Sequence, residues 1–246
     1  ASPMLRRFVF AAVLVASLAR CDGGHDHAAL GNLYVMNQGE ATVSVLDPET
    51  GTLIKTIRLP DLGFSATAKP HFAVFEPDGS AWYLSLIGEN KVVKFNAEDA
   101  VVGQVTTSQP GMLALGSGAA AGQLAVSRSL SAVNPPASVA VVDRAAMQVL
   151  EERPIPGPHP HALGSADGRF FTASLRQNVL VALRPDGTSA TTSVDDVDQG
   201  FAHLAVAPDH QRLAVSADLT GLVHIFRIQT DGSLASEGAV STGGRP

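Results

Sequence analysis

The histidines that follow prolines are the residues of this chain best suited to chemistry. His71 follows Pro70, His159 and His161 alternate with Pro158 and Pro160, and His203 closes the run Gly200-Phe201-Ala202-His203. Imidazole is a good ligand for copper and iron, and in its neutral form it also donates one hydrogen bond and accepts another. A group of such side chains can therefore hold a metal or a polar ligand. His161 and His203 each lie six residues before a turn aspartate, Asp167 and Asp209, whereas His71 lies seven before Asp78. Side chains alternate along a strand, so this offset turns His71 away from the other two unless its strand starts irregularly. The same residues have a second reading, in which each histidine caps a strand start by hydrogen bonding to the neighbouring repeat.

Other candidates are thinner. His25-Asp26-His27 can hold a transition metal weakly, but in a glycine-rich stretch it reads as a tether. The cluster Asp195-Asp196-Val197-Asp198 offers carboxylates to calcium, yet no glycine and distal glutamate follow it to complete a calcium loop. No Gly-x-Ser-x-Gly elbow, His-Glu-x-x-His helix or haem-attaching Cys-x-x-Cys-His occurs. Trp82, Tyr83, Phe170 and Phe171 are of the right type to stack on a cofactor. They occupy repeated strand positions or the neighbours of those positions, so packing between repeats is the expectation.

The elements that must carry the histidines are repeats. A Pro-Asp-Gly-like turn is followed by a short β-rich run: Asp78-Gly79 before Trp82 to Ser85, Asp167-Gly168 before Phe171 to Ser174, Asp209-His210 before Leu213 to Ser216. Leu33 to Asn37 and Leu124 to Ser127 are further copies. The runs start near 33, 82, 124, 171 and 213, at spacings of 49, 42, 47 and 42 residues. A period in the forties with several strands per unit is that of a propeller blade. Within each unit an apolar run reaches the turn, the marker strand follows, then an alternating strand such as Lys91 to Phe95, another turn, and a last strand. The fold class expected is all-β: a β-propeller of four-stranded antiparallel blades, with about five blades over residues 33–246 and few helices. The first unit begins at its second strand, so the ring is expected to be incomplete.

Pro70-His71 through Pro77-Asp78-Gly79 to Trp82-Tyr83, and Val43 to Asp47 with Thr50-Gly51, resemble the YVTN-type β-propeller repeat family. The likeness covers nearly everything after residue 30. It implies a ligand at the end of the central channel, where the loops entering the inner strands carry His71, His161 and His203. The related nitrous oxide and haem-d nitrite reductase propellers imply copper or a haem iron held by His71, His159, His161 and His203. Pro110-Gly111-Met112 stands where a further histidine would be expected, so the seven-histidine copper cluster of that relationship is not assembled. The last unit, Val223 to Ile228 with Asp231-Gly232, resembles a lactonase blade and brings no catalytic residue with it.

The N-terminus reads as an export signal. Arg6 and Arg7 precede an apolar run from Phe8 to Ala16, about half the length of a membrane-spanning helix, and small residues follow at Ser17 and Ala19. Leu18-Ala19-Arg20-Cys21 resembles a bacterial lipobox, with Cys21 as the lipidated residue and Arg20 in place of the usual small residue. Residues 1–21 are thus the signal and 22–32 a tether, implying a periplasmic or extracellular protein whose membrane contact is a lipid anchor. The 246 residues are 45% hydrophobic and 16% charged, with formal net charge -6, which argues against a disordered chain and against a nucleic-acid binder. One cysteine makes neither an internal disulfide nor a cysteine-based zinc site. The expected function is a non-catalytic module binding a small molecule or a protein at the channel mouth. A redox metalloprotein and a lactonase-like hydrolase are the alternatives.

Overall fold

A computed structural model describes residues 31–128, 137–194 and 198–246. The expected signal, Cys21, His25-Asp26-His27 and the acidic residues Asp195 and Asp196 lie outside the described residues; Asp198 is exposed. The chain divides into two compact units at Pro70/His71.

In the first unit, β1 (Leu33–Asn37), β2 (Thr42–Leu46) and β3 (Leu53–Arg58) form an antiparallel sheet in that order. Its second turn is made by Asp47, whose carboxylate accepts the Glu49 and Thr50 N–H groups at 2.8 and 3.1 Å, while Gly51 supplies the left-handed residue at φ 68°. A short 3-10 turn, Leu59–Leu62, follows.

The second unit holds four four-stranded antiparallel sheets, each in sequence order from its first strand. They are β4 (Pro70–Phe75), β5 (Ala81–Leu86), β6 (Lys91–Asn96) and β7 (Val101–Thr106); β8 (Pro110–Leu115), β9 (Gln123–Arg128), β10 (Ser138–Asp143) and β11 (Gln148–Pro154); β12 (Pro160–Ala166), β13 (Arg169–Ser174), β14 (Val179–Leu183) and β15 (Ser189–Ser193); β16 (Phe201–Val206), β17 (Arg212–Ala217), β18 (Leu222–Ile228) and β19 (Leu234–Ser241). Together with the first sheet these are the five blades of a β-propeller, as the repeat spacing indicates. The inner strands start two to three residues earlier than the apolar runs alone suggest, because proline or phenylalanine opens each one. Among the described residues there is no α-helix, and none long and apolar enough to cross a membrane.

Adjacent residues of a strand point into opposite blade interfaces, which is why the middle strands read as unbroken apolar runs. Along β9, Leu124 and Val126 pack with Tyr83 of β5, while Ala125 packs with Phe170 of β13. Along β13, Phe170 serves the interface with the third blade and Phe171 the interface with the fifth. Full burial of such side chains contributes roughly 1.5–3 kcal/mol each. The outer strands β7, β11, β15 and β19 face solvent along most of their length. Trp82 serves its own blade: its ring lies between Phe75 and Phe95, with centroids 5.7 and 4.1 Å away, and its Nε1 donates to the Asp99 carboxylate at 2.7 Å.

Candidate functional site

The site is built where the inner strands begin. In three of the four blades of the second unit the ladder between inner and second strand carries a register shift at this point. In β16, Phe201 faces Ala217 and Leu204 faces Val215, so Ala202 and His203 share the single partner Ser216. In β8, Pro110 faces Arg128 and Leu113 faces Val126, leaving Gly111 and Met112 opposite Ser127. In β12, His161 is the extra residue between Pro160 and Ala162. These are β-bulges, and they suspend the strict alternation of side chains.

The serine that closes each marker run fixes the bulge. Ser127 Oγ accepts the Met112 N–H at 2.9 Å, and Ser216 Oγ accepts the His203 N–H at 3.1 Å. Ser85 Oγ accepts the Phe72 N–H at 3.1 Å and donates to the Phe72 carbonyl at 3.2 Å. Phe72 thus takes the place that Met112 and His203 take in their blades, and His71 stands one residue earlier. The fourth blade departs from the pattern: Ser174 Oγ donates to the Pro158 carbonyl at 2.5 Å and accepts the Arg176 and Gln177 N–H groups.

The strand starts bring the three histidines together. The His71 and His161 ring centroids are 5.8 Å apart at 77°, and those of His161 and His203 are 6.0 Å apart at 83°. Three imidazoles from the second, fourth and fifth blades therefore stand in one edge-to-face row with His161 in the middle. The third blade lies between those of His71 and His161, and Gly111 presents no side chain there. His71 thus joins the other two although its count to the turn aspartate differs by one; the strands of His161 and His203 are bulged at those histidines.

His161 Nδ1 donates to the Ala202 carbonyl at 2.6 Å, which settles its tautomer and leaves Nε2 with its lone pair. Burial lowers the pKa of all three histidines. That of His161 falls to about 4, mainly through desolvation, with the Ala202 carbonyl opposing and the other two histidines adding to the fall. His71 is lowered by desolvation and then by His203; His203 is lowered by desolvation against the opposing pull of Asp218. The row is neutral at neutral pH, with His71 Nε2 buried and lacking a hydrogen-bond partner.

His159 does not join the row. It is half-buried, at φ 54°, and its carbonyl accepts the Leu175 N–H at 3.0 Å. It belongs to a feature that sequence reasoning missed, since every inner strand of the second unit is preceded by a left-handed residue: Lys69 at φ 54°, Gln109 at φ 49°, His159 and Gly200 at φ 62°. For a residue other than glycine this conformation costs of order 1–3 kcal/mol, and it concentrates at ligand sites.

Chemically, the row offers imidazoles, half-buried at His71 and His161 and exposed at His203, that donate and accept hydrogen bonds. As metal ligands the residues do not fit as they stand. The rings meet edge to face, and among the described residues no group of three histidine, cysteine or carboxylate side chains is placed to hold a metal ion.

No family model matches the sequence, and no curated protein matches it. Solved structures do resemble it. A streptogramin B lyase superposes with a TM-score of 0.69 at 14% identity, over 89% of this chain and 69% of the other. Virginiamycin B lyase from Staphylococcus aureus gives 0.66 at 12% identity, over 85% and 66%. The dihydro-heme d1 dehydrogenase NirN gives 0.61 at 18% identity, over 89% and 45%. The chain spans about two thirds of the length of the lyases and under half that of NirN. At these identities the likeness carries the fold alone, and that fold is the β-propeller.

Proposed function

We propose that this protein is an exported, non-catalytic binding propeller of the cell envelope, whose ligand meets the imidazole row of His71, His161 and His203. The observation that carries this reading is the row itself: three neutral imidazoles from three blades, His161 and His203 at bulges, with a buried and unpartnered His71 Nε2. An uncharged row, half-buried at His71 and His161 and open to solvent at His203, suits a polar small molecule or a polar protein group that both accepts and donates hydrogen bonds. Export rests on the Arg6-Arg7 and Phe8 to Ala16 pattern, and tethering on Cys21.

A redox metal is the second reading, favoured by one feature. With Nδ1 of His161 committed to a backbone carbonyl, its Nε2 has the preparation that metal-ligating histidines share.

Native mass spectrometry and metal analysis of the protein purified from its host envelope, beside a His161→Ala/His203→Ala variant, decide between them. A small molecule or peptide retained by the parent and lost from the variant is the expected result. Stoichiometric copper or iron lost from the variant overturns it in favour of the metal, and a parent that carries nothing overturns both.

A further inference from the structure

The third blade, which lacks a histidine in the row, holds a different concentration of unused polar chemistry at the same end. Among the described residues seven buried side-chain polar atoms lack a hydrogen-bond partner, and three of them, Thr107 Oγ1, Gln109 Oε1 and Arg128 Nη2, belong to the two residues that flank Ser108 and to the arginine that bonds its carbonyl. The segment Thr107 to Gln109 links β7 to β8. Three of its backbone groups are engaged: the Thr107 N–H goes to the Asn90 carbonyl at 2.9 Å, the Gln109 N–H to Asn90 Oδ1 at 2.8 Å, and the Ser108 carbonyl accepts Arg128 Nε at 3.2 Å. The side chains on either side of Ser108 are left over.

Arg128 is the largest of the fully buried side chains, 1% exposed. Its Nη1 donates to Ser138 Oγ at 3.1 Å and stands 3.7 Å from Glu152, so Nη2 is its one idle nitrogen. An unpaired donor on a buried guanidinium costs more than the roughly 1–3 kcal/mol of a neutral group, and a satisfied partner is the rule in folded proteins. Gln109 is also held in the left-handed conformation. Strain and unpaired polar atoms meet on one three-residue link.

We propose that Thr107, Gln109 and Arg128 form a subsite for a small hydroxycarboxylate. The carboxylate accepts from Arg128 Nη2 and from the Thr107 hydroxyl, and the ligand hydroxyl donates to Gln109 Oε1. A guanidinium selects the anion, and the amide selects against an acid that lacks the hydroxyl. The subsite stands apart from the imidazole row and does not depend on that row binding anything.

Thermal unfolding and calorimetric titration of the purified protein with glycolate test it, with acetate and with chloride of equal ionic strength as comparisons. Glycolate is expected to raise Tm and to bind at least about tenfold more tightly than acetate, the equivalent of one lost hydrogen bond. Thr107→Val and Gln109→Met are each expected to weaken glycolate binding by about tenfold. Thr107→Val replaces an idle hydroxyl by a methyl, so it is expected to keep or raise Tm in glycolate-free buffer. Arg128→Lys abolishes binding, and if that variant does not fold the other two decide. Glycolate that stabilises no more than chloride, or equally in all variants, overturns the proposal and leaves these atoms to bound water.

Discussion

The imidazoles of His71 and His161 meet edge to face with centroids 5.8 Å apart, although a whole blade separates the strands that carry them. Ser85 Oγ holds the Phe72 N–H and carbonyl next to His71, His161 is the bulged residue of β12, and the third blade carries Gly111 at the start of β8. The pair is desolvated, and desolvation is also the main reason both rings stay neutral.

That neutrality makes stability depend on pH. Unfolded histidines titrate near 6.5 and those of the row below it, His161 at about 4. Between these values the unfolded chain binds protons that the folded chain refuses. The contribution is fully present above pH 6.5 and is lost as pH falls toward 4, at up to about 1.4 kcal/mol per pH unit for His161, with smaller parts from His71 and from solvent-exposed His203. Urea unfolding at pH 7.5, 6 and 5 should show this decline, and His161→Asn should flatten it. Equal slopes in both proteins would mean the row is solvated.

The second and third blades are joined by a polar bridge. Arg144 Nη1 meets Glu76 Oε2 at 2.6 Å, Tyr83 Oη donates to Glu76 Oε1 at 2.8 Å, and Lys94 Nζ donates to the Arg144 carbonyl at 2.9 Å. Burial and the Glu76 carboxylate push the Tyr83 pKa up, so its hydroxyl remains a donor. The Arg144 and Glu76 side chains are each only 17% exposed, which places the pair well above the value of a surface ion pair. A double-mutant cycle of Glu76→Gln with Arg144→Met is expected to give a coupling of about 1–3 kcal/mol. A coupling indistinguishable from zero would show that the two blades are held by apolar packing alone.

Packing between the fourth and fifth blades leaves no room at Gly164. A Cβ there would overlap Leu204 Cδ2 and come 3.1 Å from Val206 Cγ2. Gly164→Ala is expected to destabilise by about 1–3 kcal/mol, as overpacking does. Adding Leu204→Ala should recover part of the loss, because the added methyl then occupies vacated volume. Gly122→Ala, with nothing within 4 Å of the new atom, is the matched control and should be near neutral. Additive effects of Gly164→Ala and Leu204→Ala would show that the two side chains do not compete for the same space.

The fold was legible because its information is local and repeated. Leu124 to Ser127 and Leu213 to Ser216 carry the same four residues, and the Asp-Gly turns before Trp82 and Phe171 repeat at blade spacing. The histidines were legible as a group for the same reason. Their arrangement was not, since it depends on where Ser85, Ser127 and Ser216 take a backbone N–H thirteen to fifteen residues upstream. Counting back from the turn aspartates misplaces His71 relative to the others because the strand starts that carry His161 and His203 are bulged, which no side chain announces. Arg128 was invisible for a different reason: arginine ordinarily reads as surface, and only the Ser108 carbonyl, Ser138 and Glu152 around it make a buried guanidinium tenable.

Trp82 is the chain's single tryptophan, enclosed between Phe75 and Phe95 and tied to Asp99. Ultraviolet emission from this protein is therefore a one-address signal. Its colour and intensity report the integrity of the second blade, and an unfolding trace that lags or leads circular dichroism would time that blade against the rest.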